Sequence, residues 1–343
     1  MPRVNIKTVA QYAGVSEATV SRVLNSNPTV SEKVRARTLE AIEKLGYQPN
    51  RAARRLRANS SDVLGLIVSD IENPFFTSVV RGVEDTAQAA QKSVILCNSD
   101  ENPTKLQNYL KIMEAERVAG LIVTPTNLKD GESLQRLTQA GIPIVLLDRQ
   151  VDNYVFDSVL VDNIRGAFTG VKHLIDLGCE RVAMIGGTPA LSNARDRLEG
   201  YRNALKAAGL TIDEKLIKEG NFKIESGYRI GKELVHSTNR PQAIFVANNL
   251  MTLGAVRALR ELNVRIPEDM AIVGFDDTPW ANELMVPLTV VSQPTYQLGQ
   301  TATQLLLNRL ARPDAPFQTA ILHTHLIIRE SCGAQLQNQE KSL

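Results

Sequence analysis

The sequence predicts two folds in series: an all-α helix-turn-helix head of three helices with a short hinge helix, then an α/β body of parallel strands in two lobes. Three observations carry this reading. Lysine and arginine gather at one end of the chain. Apolar residues at that end recur at helical spacing, and beyond residue 62 short apolar runs alternate with amphipathic helices.

The chain has 343 residues, and at roughly 150 residues per domain that is two domains with a remainder. With 43% apolar and 22% charged residues it has the balance of a soluble globular protein. The apolar stretch Val63–Val68 falls far short of the roughly 20 residues that cross a bilayer. The first residues lack an apolar core of a signal peptide, so the expected location is the cytoplasm, away from any membrane. Cys97, Cys179 and Cys332 show no C-x-x-C spacing and are expected to be reduced core residues.

The net charge of +2 hides an asymmetry. Residues 1–60 hold 11 lysines and arginines against 4 acids, whereas the rest holds 28 bases and 33 acids. A basic head on an acidic body is the pattern of a chain that presents one end to a polyanion.

Within the head, Ile6, Val9, Ala10 and Ala13 form a helical stripe, Gly14 interrupts it, and Ser16 is placed to cap a second helix. Val20, Val23 and Leu24 point that helix inward and leave Glu17, Ala18, Thr19, Ser21 and Arg22 outside. Short polar side chains with one arginine suit the major groove, where arginine pairs with guanine and small methyls meet thymine. Ser31 is expected to cap a third helix carrying Val34, Leu39, Ile42 and Leu45 and ending at Gly46. Such spacing also occurs in small bundles that never meet DNA. Next comes a basic stretch with Arg51, Arg54, Arg55 and Arg57, a helix of about two turns that would be marginal alone in water.

Strands are predicted over 63–69, 93–98, 120–124, 144–147, 158–161, 182–186, 243–247, 271–275 and 288–291. That is too many for one compact sheet, and a split after Asp162 gives two similar series. The strand 288–291 and the helix 298–310 can return to the first half. The domain reading is head 1–48, hinge 49–61, first lobe 62–162 plus 292–322, second lobe 163–291 plus 323–330, and a loose tail 331–343.

Ligands of open parallel sheets lie beyond the carboxyl ends of the strands. The polar residues there are Ser69, Asp70, Asn98, Asp148, Arg149, Asp162, Asn163, Asn248, Asn249, Asp276 and Asp277, with Phe75, Phe76, Phe222 and Trp280 nearby. Carboxylates and amides that take hydroxyls in pairs, beside aromatic faces, suit a polyhydroxylated ligand. The alternative for each is a helix N-cap, since Asn163 and Asn249 both stand just before helices.

Residues 6–25, IKTVAQYAGVSEATVSRVLN, resemble the DNA-binding signature of the lactose repressor/galactose repressor family of bacterial transcription regulators, and the resemblance continues through Glu330. Thr8 departs from the acid usual at its position. The resemblance implies a periplasmic-binding-protein-like body and DNA contacts from Thr8, Ser16, Glu17, Ala18, Thr19, Ser21, Arg22 and Asn25. It also implies a hinge helix that orders on operator DNA, with Leu56 as a minor-groove wedge. Ala53 would permit close approach there, and Arg51, Arg54 and Arg55 would lie at phosphates. Effector contacts are implied at Ser69, Phe75, Phe76, Asp148, Arg149, Asn193, Arg197, Phe222, Asn248 and Asp276. Asn249 departs from the family's aspartate.

An enzyme reading finds no Gly-x-Ser-x-Gly, P-loop or Gly-x-Gly-x-x-Gly. His323 and His325, read as alternating on one strand, lack a third metal ligand. An exported solute-binding protein would need a signal peptide in place of the basic head. The expectation is therefore a homodimeric regulator, without cofactor or metal, that binds a pseudo-palindromic double-stranded operator DNA and a small-molecule effector and represses carbohydrate-uptake or catabolic genes. A sugar is expected, with a nucleobase, nucleoside or sugar phosphate as the alternative. No leucine-heptad tail suggests assembly beyond the dimer.

Overall fold

A computed structural model of the chain describes residues 4–24, 27–47 and 62–335. The chain divides into two compact units, Met1–Ser61 and Asp62–Leu343. The expectations for Asn25, the hinge residues Arg51, Ala53, Arg54, Arg55 and Leu56, and most of the tail lie outside the described residues.

The first unit holds α1 (Ile6–Ala13), α2 (Glu17–Leu24) and α3 (Glu32–Lys44). Asn5 caps α1 by accepting from the Thr8 amide at 2.9 Å, and Gly14 ends it at φ 60 in the left-handed region, which costs glycine little. Ser16 caps α2 through the Thr19 amide at 3.1 Å. Val9, Ala10, Ala13, Val20 and Ala41 make the shared core. Two details differ from expectation. Leu39 is 49% exposed, because the inward face of α3 carries Thr38 and Ala41, and the Thr38 hydroxyl satisfies itself on the Val34 carbonyl at 2.7 Å. Ser31 precedes α3 but makes no side-chain cap bond.

In the second unit the strands form two six-stranded sheets of the same design. The first comprises β1 (Val63–Val68), β2 (Ser93–Asn98), β3 (Gly120–Val123), β4 (Ile144–Leu147), β5 (Asp157–Val161) and β11 (Thr319–Leu322). The second comprises β6 (Val182–Gly186), β7 (Ile217–Glu219), β8 (Ala243–Val246), β9 (Ala271–Phe275), β10 (Thr289–Ser292) and β12 (His325–Ile327). Their orders, β2-β1-β3-β4-β5-β11 and β7-β6-β8-β9-β10-β12, match strand for strand. All described pairings are parallel except β10 with β12.

Two long helices exchange between the lobes. After β5, α7 (Asn163–Asp176) enters the second lobe and buries Ala167, Val171 and Leu174 there. After β10, α11 (Thr295–Ala311) enters the first and buries Leu298, Ala302 and Leu306. Strand β10 thus stays in the second sheet, hydrogen-bonded to β9, and only the helix after it returns to the first lobe. The suggestion that the strand 288–291 returns to the first half is corrected accordingly. His323 is corrected too, since it lies in the link between β11 and β12 and only His325 is in a strand.

The remaining helices fill the faces. In the first lobe these are α4 (Pro74–Ala89), α5 (Pro103–Ala115) and α6 (Gly131–Gln139). In the second they are α8 (Ser192–Ala207), α9 (Ile224–Val235) and α10 (Asn249–Glu261). Asp162 caps α7 and Asn248 caps α10, so Asn163 and Asn249 are first helical residues rather than the caps expected of them. Among the described residues no helix is long and apolar enough to cross a membrane, and no cluster of three His, Cys, Asp or Glu could hold a metal. The three cysteines are free thiols.

Candidate functional site

In the head, the outer side of α2 and its leading turn expose Ser16, Glu17, Ala18 and Arg22, with Thr19 and Ser21 half-buried beside them. Thr8 is exposed on α1, but its hydroxyl donates to the Asn5 carboxamide oxygen at 3.0 Å, so it completes the cap. The other candidates present a polar strip with one cation at the scale of a groove-reading helix.

In the body, strand ends of both lobes line one cleft. Of the expected effector residues, Phe75, Phe76, Asp148, Arg149, Asn193, Arg197, Phe222, Asn248 and Asp276 line it. Ser69 does not. It is fully buried, and its hydroxyl makes no hydrogen bond. Trp280, expected nearby, packs instead with Ala281, Leu288 and Val290. The cleft also takes in Asp70, one of the polar strand-end residues, and Asn73, Glu101, Lys223 and Gln293, which are not among the expected effector contacts.

The apolar wall begins at Asn73, which caps α4 by accepting from the Phe75 amide at 3.0 Å and so fixes Phe75 and Phe76 in an edge-to-face pair 4.8 Å apart. Phe222 stands opposite at φ 63, its carbonyl accepting from Asn248 Nδ2 at 3.0 Å. Asn248 Oδ1 accepts from the Met251 amide at 2.9 Å, so both ends of this amide are committed to holding the wall.

The polar side is a set of buried charges. Arg149 donates from both terminal nitrogens to Glu101, at 2.6 and 2.7 Å, and to the Pro125 carbonyl at 3.0 Å. Arg197 donates to Asn163 Oδ1 at 2.8 Å and to the Ala247 carbonyl at 2.5 Å, and its guanidinium stacks 3.8 Å over the Phe275 ring. Asp148 accepts from Asn193 Nδ2 at 2.8 Å across the cleft, and Asp276 accepts from Gln293 Nε2. Burial pushes both aspartate carboxyls up from their ordinary range. Arg149 and Arg197 oppose that push at Asp148, and Arg197 and Gln293 oppose it at Asp276. Three buried acceptors, Asp148 Oδ1, Asn193 Oδ1 and Gln293 Oε1, have no hydrogen-bond donor. A ligand bearing hydroxyls could supply the missing donors.

Further bonds join the lobes. Lys223 reaches Asp70 at 2.6 Å and Asp100 at 3.3 Å. Asn249 Nδ2 donates to Asn73 Oδ1 at 2.8 Å. That contact explains the amide at 249. Asn73 Oδ1 is already fixed as an acceptor by the Phe75 amide, and a carboxylate at 249 would set acceptor against acceptor.

The profile described as "Bacterial regulatory proteins, lacI family" matches residues 5–50, and that of a periplasmic binding protein-like domain matches residues 171–332. The HTH-type transcriptional regulator RegA of Clostridium saccharobutylicum is 36% identical over 328 residues, spanning 95% of this chain and 98% of that protein. The crystal structure of the lac repressor dimer bound to operator and the anti-inducer ONPF superposes with a TM-score of 0.86 at 30% identity, over 96% of this chain and 99% of that one. A complex of the transcriptional regulator CelR with cellobiose gives 0.74 at 33%, over 96% and 100%. With a head, an exchanged-helix body and relatives matched nearly end to end, the chain belongs to the lacI family of bacterial regulatory proteins.

Proposed function

We propose that the chain is an effector-controlled repressor that binds a two-fold-symmetric operator as a homodimer, reading bases with α2, and that a sugar in the interlobe cleft alters operator affinity. The observation that carries the effector reading is the cleft itself. Buried carboxylates and amides with unfilled acceptor positions face each other across it, between Phe75, Phe76 and Phe222. Hydroxyls in pairs satisfy such acceptors, and aromatic faces cover the apolar side of a sugar ring. The solved relatives include one with cellobiose and one with operator and an anti-inducer.

Whatever factor the effector applies to operator affinity, the operator applies to effector affinity in return. The test has two arms. Selection from a random duplex pool should enrich a palindromic sequence, and a thermal-shift screen of monosaccharides, disaccharides, sugar phosphates and nucleobases should give a hit that changes affinity for that duplex. A hit that raises stability without moving operator affinity would refute the coupling, and failure to enrich any sequence would refute the DNA reading.

A further inference from the structure

The cleft is lined by three cations, Arg149, Arg197 and Lys223, and four carboxylates, Asp70, Glu101, Asp148 and Asp276. Taken by type, the cations invite a phosphate or carboxylate on the ligand. Their partners argue otherwise. Lys223 is occupied by Asp70 and Asp100. Arg149, buried with its side chain 4% exposed, has Glu101 on both terminal nitrogens and Pro125 on one of them, while its Nε makes no hydrogen bond and lies 3.5 Å from Asp148 Oδ2, so that Asp148 is its second ion-pair partner. What remains toward a ligand is Arg197, held by Asn163 and Ala247, against Asp148 and Asp276. Added negative charge would meet a surplus of negative charge where water screens poorly.

Glu101 is placed for this by a costly turn. Asp100 and Glu101 both have φ 53, and the Glu101 amide donates to the Ser69 carbonyl at 3.0 Å, which folds the loop after β2 back toward the cleft. Burial opposes the charge on Glu101, but Arg149 and Lys223 outweigh it and hold the carboxyl below its usual range.

We infer that Glu101 is a specificity-determining residue: by occupying Arg149 it makes the cleft select uncharged over anionic ligands, and without its charge Arg149 would become an anion site. This rests on the cleft being the effector site. Its test uses neither DNA nor sugar, so the two readings can fail separately.

The full chain and its Glu101→Gln variant are titrated with inorganic phosphate, against sodium chloride at matched ionic strength, by calorimetry and thermal shift. The wild-type response sets the baseline from the basic head. Glu101→Gln should add a saturable phosphate response about tenfold or more tighter than that baseline, the size of one charge-assisted hydrogen bond. Adding Arg149→Met to Glu101→Gln should abolish it. If Glu101→Gln is unfolded in chloride, phosphate but not chloride should restore its circular dichroism. No gain in Glu101→Gln, no refolding by phosphate where it is needed, or a gain that persists with Arg149→Met would overturn the inference.

Discussion

Asp148 and Asp276 hold the same position in the two lobes. Each follows the fourth strand of its sheet order, β4 or β9, each turns into the left-handed region at φ 65 and φ 74, and each donates its amide to the next strand, to Val159 and Val291, at 2.9 Å. Aspartate tolerates such a φ better than most L residues, though at a cost. The repeated turn throws both carboxylates off their strand ends into one cleft, so the doubled sheet builds a doubled acceptor.

These carboxylates should carry effector affinity and not operator affinity. Asp276→Asn and Asp148→Asn each remove a charged acceptor from a buried site, and the expected cost is about 1 to 3 kcal/mol of effector binding each. Calorimetry would show this as a roughly fivefold to hundredfold weaker Kd. Operator affinity without effector should stay near wild type, since the substitutions lie outside the head. Unchanged effector affinity in both variants would refute the assignment.

A pH dependence follows from the same burial. The folded-state values of Asp148 and Asp276 are raised, so their contribution to stability is full below the ordinary aspartate range near 4 and is lost as pH rises through the raised values. A ligand that donates hydroxyl protons to these groups prefers them ionised. Effector affinity should therefore rise with pH across that window, and binding should release protons. Calorimetry at a series of pH values from the ordinary aspartate range upward, in buffers of different ionisation heat, would measure the release, and proton uptake would contradict the sign.

Much of this could be read from the sequence where one element decides the matter. The stripes of α1 and α2 and the glycine at 14 suffice for the head, and unbroken apolar runs mark the buried strands. β7 escaped because Lys218 and Glu219 make it a polar edge strand, and β11 because it is an edge strand that alternates exposed and half-buried residues. β10 was free to join either half because chain order does not say on which side of a strand the crossover falls. Strand ends pointed to Asp148 and Asp276. Glu101 meets Arg149 from a loop of the same lobe, and Lys223 meets Asp70 across the cleft, only after folding, and no local pattern announces such pairings.

Arg22 is the exposed cation of α2, and no shared core explains its place there. Arg22→Ala should cost about 1 to 3 kcal/mol on the selected operator and relax preference at one position per half-site. Competition against single-base operator variants would separate this from a phosphate contact, which would weaken all sequences alike.

The exchanged helix α11 meets α4 through reciprocal glycines. A Cβ on Gly299 would lie 2.1 Å from the Val79 carbonyl oxygen, and one on Gly82 would lie 2.1 Å from that of Tyr296. Backbone cannot yield as a side-chain tip can, so Gly299→Ala should exceed the helix-propensity gain of alanine and destabilise by about 2 kcal/mol or more. A denaturant midpoint equal to or above wild type would show that the helices are not so closely apposed.

Lys223 ties the lobes across the cleft, and its effect on closure can be read without any ligand. Burial works against its charge, but Asp70 and Asp100 outweigh that and raise its pKa, so the ammonium persists through neutral pH. Two backbone amides report closure: Leu128 donates to the Ala190 carbonyl at 3.2 Å, and Gln150 to Ser192 Oγ at 2.9 Å, each from the first lobe to the second. Both bonds must break when the lobes part. With the lysine side chain 31% exposed, the pair should be worth about 0.5 to 1 kcal/mol, a twofold to fivefold change in the opening equilibrium. Lys223→Met should therefore speed hydrogen exchange at Leu128 and Gln150 by that factor and leave the core amides of β1 unchanged. High salt should reproduce the acceleration in the wild type and add little in the variant. Equal exchange in both proteins would mean that closure does not depend on Lys223 and rests on the other interlobe bonds, Asn193–Asp148 and Asn249–Asn73 among them.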